Sequence, residues 1–164
     1  MTRFRQALPW ILGALAATLL FAALVAYTPF EYAGTDDAPI LRSFMGYEGG
    51  EPAHYSLLVH TVLAWILWGL AKGFPGVAWF SIFQLAFLWL ATAVVVKSFA
   101  RGAQRRGLPV WLGALFGVGL TLAGALWISC RVSFTTTAAW LGAAAVAQLV
   151  SIDWAGDTDK AVRR

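Results

Sequence analysis

YSLLVHTVLAWILWGLAKGFPG, residues 55–76, is the stretch on which the fold turns. Its apolar part, 55–70, falls short of the roughly 20 residues that cross a bilayer core. It carries His60, and His54 stands just before it. His54, Leu58, Thr61, Trp65, Trp68 and Lys72 fall at alternating steps of four and three, along one helix face. A stripe of tryptophan and polar groups suits a helix that lies at a membrane interface or dips into it. The other reading is a crossing helix turned back by Phe74-Pro75-Gly76.

Four further apolar runs surround this segment, at 10–26, 79–96, 110–130 and 135–152. The chain has 164 residues, 60% hydrophobic and only 12% charged, where a soluble domain carries about a quarter charged. Lipid admits only helices or closed barrels, and these runs lack the period-two alternation of barrel strands. The chain therefore reads as an integral membrane protein, one helical membrane domain over 1–164. Arg3 and Arg5 followed by an apolar run resemble a signal peptide. The run is long for one and no A-x-A site follows, so it is read as an uncleaved first span. Pro9 is expected at the helix start, where proline is tolerated.

The distribution of basic residues decides between the two readings of 55–70. The formal charge is +4, but the basic residues sit at the termini and in a loop of Lys97, Arg101, Arg105 and Arg106, so nucleic acid is not implied. Five crossings with a cytoplasmic N-terminus would put that basic loop outside, against the positive-inside rule. If 55–70 does not cross, nine of the twelve basic residues are cytoplasmic, leaving Arg42, Lys72 and Arg131 outside. The expected fold is all-α: a polytopic helical membrane protein with four transmembrane helices plus one juxtamembrane or re-entrant helix. Five spans are the alternative. Residues 28–78 are then an extracytoplasmic loop containing the juxtamembrane helix.

That loop opens with TPFEYAGTDDAPILRSFMGYEGGEPAH, residues 28–54, which holds five of the eight acidic residues. Thr35 is a candidate N-cap with Asp36 and Asp37 in the first turn of a helix that runs to Met45 and stops at Gly46. Paired carboxylates can be held at different pKa values, so Asp36 or Asp37 is a candidate general base for an attacking hydroxyl. Arg42, Lys72 and Arg131 are candidates to neutralise a phosphate, and His54 to orient or shuttle a proton. Each has a plainer reading: the aspartates as a solvated cap, His54 as a polar boundary residue, Arg131 as an anchor at a span end. The histidines and acids make no recognised metal spacing, and no Walker loop, GxSxG or CxxC occurs. Cys130 is the single cysteine. Gly13 and Ala17, and Gly113 and Gly117, are spaced for close helix approach. Within the runs only Gln84, Thr92, Thr121 and Gln148 stand out as polar, and no charged residue does, which argues against an ion-coupled transporter.

Thr35-Asp36-Asp37, Gly46, Gly50, Pro52 and His54, the tryptophan-led run at Trp79, and RVSFTTTAA from Arg131 to Ala139 together resemble polytopic bacterial membrane glycosyltransferases of the GT-C type. The resemblance covers most of the chain. It implies sugar transfer from a polyprenyl-phosphate donor on the outer face of the bacterial plasma membrane, with the family's base at Asp36 or Asp37. It also implies a non-spanning helix at 55–70. No cofactor is expected. Relatives often have Asn where Thr35 stands, and GT-C enzymes are several times longer. The chain is thus expected to be the N-terminal part of such an enzyme, inactive alone and packed against further transmembrane helices. The alternatives are a non-enzymatic subunit of a cell-envelope complex, whose small-residue faces bind other helices, or a transporter component.

Overall fold

A computed structural model of the protein describes residues 2–27, 31–32, 37–46, 51–52, 61–129 and 131–152. Six helices form among them: α1 (Thr2–Tyr27), α2 (Asp37–Met45), α3 (Thr61–Gly73), α4 (Trp79–Arg105), α5 (Val110–Ser129) and α6 (Phe134–Val150). The all-α expectation holds in this coarse form. Two segments, Gln6–Tyr27 and Trp79–Arg105, are long and apolar enough to cross a bilayer. At 1.5 Å per residue α5 spans about 30 Å, α6 about 26 Å and α3 only about 20 Å.

α4 is the axis of the bundle. One side packs Leu88, Ala91 and Val95 against Trp140 and Ala144 of α6, with Phe21 of α1 alongside. Another packs Val96 and Ala100 against Ala114 of α5, with Leu12 and Ala16 of α1. Contacts fix the helix directions. Gly13 faces Ala93 and Lys97, while Trp89 Nε1 donates to Thr18 Oγ1 at 3.3 Å, so α1 runs antiparallel to α4. Gly113 faces Phe99 and Gly117 faces Val96, so α5 is antiparallel as well. Trp140 Nε1 donates to Thr92 Oγ1 at 3.2 Å and Ser98 Oγ to Gln148 Oε1 at 3.3 Å, so α6 runs parallel to α4. Tyr27 and Trp79 consequently lie at the same end of the bundle.

The small residues serve this packing. A methyl on Gly113 would lie 2.7 Å from Ala103 Cβ and 2.8 Å from Phe99 C, and one on Gly117 would lie 2.8 Å from Val96 Cα. Gly13 is pressed against Lys97 Cβ in the same way, at 3.0 Å. The small-residue faces expected to bind other helices are, at these positions, spent inside the chain.

Helix ends follow their local chemistry. Gly107 at φ +72° closes α4: its N–H bonds Gln104 O at 3.3 Å and Leu108 N–H bonds Ala103 O at 3.0 Å, a Schellman arrangement with Pro109 beyond it. Ser133, extended and buried, caps α6 by accepting from Thr135 N at 3.2 Å. α2 stops at Gly46, φ +79°, as its sequence predicts.

Three expectations need correction. Pro9 does not open α1; it lies inside the helix and is fully buried. A helix that continues through proline gives up one backbone bond there, against which stands the burial of the ring. Lys97, Arg101 and Arg105 do not form a loop; they occupy the last turns of α4. Finally, a charged residue does stand inside an apolar helix, because Lys97 is 2% exposed.

Candidate functional site

At the end of the bundle where α1 finishes and α4 begins, α2 and α3 pack together as a cap. Ile40 and Phe44, one turn apart on α2, meet Ala64 and Leu67 of α3 and Phe80 of α4, with Phe134 of α6 beside them. The Phe44 and Phe80 rings lie 6.2 Å apart. The buried face of α3 is Ala64, Leu67 and Ala71, and the tryptophan stripe runs beside it, with Trp65 and Lys72 exposed and Trp68 half-buried. There Trp65 and Trp68 meet edge-to-face at 5.1 Å, and Lys72 Nζ sits 4.5 Å from the Trp68 ring centroid, within cation–π range.

The loop after α1 reaches the α5–α6 connection through the backbone. β1 (Glu31–Tyr32) pairs in parallel with β2 (Arg131–Val132), with Glu31 opposite Arg131 and Tyr32 opposite Val132. Two segments one hundred residues apart in sequence are thereby held side by side at the capped end.

Of the sequence candidates, Asp37 is the first residue of α2, Arg42 is exposed in its last turn, Lys72 is exposed in the last turn of α3, and Arg131 opens β2. These four stand on the elements gathered at one end of the bundle. Asp36 and His54 lie outside the described residues, as does His60. Among the described residues no three His, Cys, Asp or Glu side chains come together as a metal site would require.

The opposite end of the bundle holds polar chemistry that sequence reading missed. The Lys97 ammonium donates to Gln148 Oε1 of α6 and lies 4.3 Å from the centroid of the Trp10 ring of α1. Ser98 donates to the same amide oxygen, and two turns further along α4 the Arg105 guanidinium donates to the Ser151 carbonyl at the end of α6. Three helices thus converge on one buried cation. The available signal was Gln148, the one amide in the last apolar run; a polar group on a largely apolar helix calls for a partner, and the buried Lys97 is that partner.

Compared with family models, curated proteins and solved structures, the chain matches none.

Proposed function

We propose that the protein is a polytopic membrane protein with α1, α4, α5 and α6 crossing the bilayer, its N-terminus in the cytoplasm, and α2 and α3 on the outer face. The observation that carries this reading is the shared end of Tyr27 and Trp79. A single crossing between them would have put those residues at opposite ends. The Trp65–Trp68–Lys72 stripe beside the buried face of α3 suits an interfacial helix whose rings and lysine stem lie against lipid while the ammonium reaches water.

Two engineered cysteines test the topology in a Cys130→Ser background. Phe74 and Leu108 are both exposed, 62% and 48%. Phe74→Cys is expected to react with an impermeant maleimide in intact cells, and Leu108→Cys only after permeabilisation. Five crossings require the reverse.

On this frame the outer end is the site of sugar transfer from a polyprenyl-phosphate-linked donor, as the resemblance to GT-C enzymes suggests. An acceptor hydroxyl oxygen bonds to the anomeric carbon while the bond from that carbon to the phosphate oxygen breaks. Asp36 or Asp37 takes the hydroxyl proton. Arg42, Lys72 and Arg131 neutralise the polyprenyl phosphate that leaves, and His54 orients the acceptor. The parallel pairing of β1 with β2 supports this reading, since it draws the acidic loop toward Arg131. In the natural protein, Asp36→Asn or Asp37→Asn is expected to lower glycan transfer by about a hundredfold or more at unchanged membrane abundance. Full transfer in both variants removes the aspartates from the mechanism.

A further inference from the structure

α5 and α6 each pack along α4 but scarcely touch each other over much of their length. The gap between them is a cavity of about 860 Å³, floored by α4 and walled by the other two helices. Its volume lies within the range of small-molecule sites. Trp140 lies across the gap toward the outer end, its ring 3.6 Å from where a methyl on Gly124 would stand. The walls are apolar, with Phe99, Leu112, Phe116, Val146 and Val150 among them. The mouth lies at the end where α4 and α6 finish. Arg106 lines it, Arg105 is tied to the Ser151 carbonyl beside it, and Arg101 is one helical turn back. No acidic side chain lines the cavity among the described residues.

We infer that this cleft binds an anionic phospholipid, one acyl chain lying between α5 and α6 and the headgroup phosphate meeting Arg106. The long apolar trough takes a chain, and Arg106 at its end selects the head. Basic pockets between membrane helices on the cytoplasmic side are suited to anionic headgroups for this reason. The site is at the opposite end from the acidic loop and rests on the membrane reading alone; it does not depend on sugar transfer. The cysteine-labelling experiment tests that membrane reading separately, so a failure of the lipid site can be told from a failure of the topology.

Native mass spectrometry of the purified full chain in detergent tests the proposal. Phosphatidylglycerol and phosphatidylcholine with identical chains are added at equal concentration. The wild type is expected to retain phosphatidylglycerol at least about fivefold better, the contribution of one basic residue near the headgroup. Arg106→Gln should abolish the preference while leaving chain binding. Gly102 lines the cleft and a Cβ there meets nothing within 4 Å, so Gly102→Leu should fill the trough and reduce retention of both lipids. Equal retention of the two lipids by the wild type overturns the proposal. So does a preference that survives Arg106→Gln, or a second copy of the chain seated in the cleft, seen as a lipid-free dimer that Gly102→Leu dissociates. If Gly102→Leu does not fold, the wild type and Arg106→Gln still decide the matter.

Discussion

Replacing Gln148 by Leu is expected to destabilise the protein by about 1.5–3 kcal/mol, whereas replacing Lys97 by Met is expected to cost less than about 1 kcal/mol. The asymmetry follows from what each change leaves behind. Lys97 is buried at the junction of α1, α4 and α6, and Gln148 is its oxygen acceptor among the described residues. Leucine at 148 removes that acceptor from both the ammonium and Ser98. The cation is then left with the Trp10 face, worth about 0.5–2 kcal/mol, which is too little to replace an acceptor for a buried charge. Methionine at 97 removes the charge itself, keeps the stem that packs on Gly13, and leaves Gln148 bonded to Ser98. Equilibrium unfolding in mixed micelles, with the double variant as the fourth corner of the cycle, measures the coupling. Equal losses in the two single variants would show that Lys97 and Gln148 do not act as a pair.

Gly113→Leu is expected to cost about 3 kcal/mol, the upper part of the usual over-packing range. Gly119→Leu on the same helix should leave stability unchanged or raise it. A side chain at 113 runs into the Phe99 backbone and Ala103. α4 cannot retreat, because α1 and α6 hold its other sides. At Gly119 a Cβ meets nothing within 4 Å, and leaving glycine gains about 1 kcal/mol of helix propensity. Both variants are read in the same unfolding assay. Similar behaviour at 113 and 119 would mean that α5 does not approach α4 as closely as these contacts describe. Together the two predictions probe the same claim from different directions: α4 is the element on which the other long helices depend.

The two ends of the bundle divide the chemistry. The capped end gathers Asp37, Arg42, Lys72 and Arg131 through α2, α3 and the β1–β2 pairing. The other end buries Lys97 and lines the α5–α6 cleft with Arg106. Among the described residues acids and scattered bases thus stand at one end and a basic rim at the other, the asymmetry that the proposed topology calls for.

Much of this architecture was legible from the chain alone. Apolar runs without period-two alternation specify helices, because a backbone surrounded by apolar groups must satisfy its own hydrogen bonds. Gly46, and Gly107 before Pro109, mark helix ends by the left-handed conformation they adopt. Gly13, Gly113 and Gly117 announce close helix approach, and the β-carbon clearances bear that out. The stripe through Trp65, Trp68 and Lys72 is one helix face, as its spacing predicts. All of these are local properties, carried by residues a few positions apart.

Tertiary structure alone decided the placement of Lys97. Read along the chain, a lysine near three arginines ends an apolar run, so it falls in a loop. Its neighbours in space come from Trp10 and Gln148, far away in sequence, and only the antiparallel packing of α1 and the parallel packing of α6 on α4 bring them together. The same holds for the Glu31–Arg131 register and for the cleft between α5 and α6. Helix formation is settled by each segment's own hydrogen bonds and side-chain spacing. The partners of a buried charge, and the gap two helices leave between them, are settled by the direction in which whole helices pack.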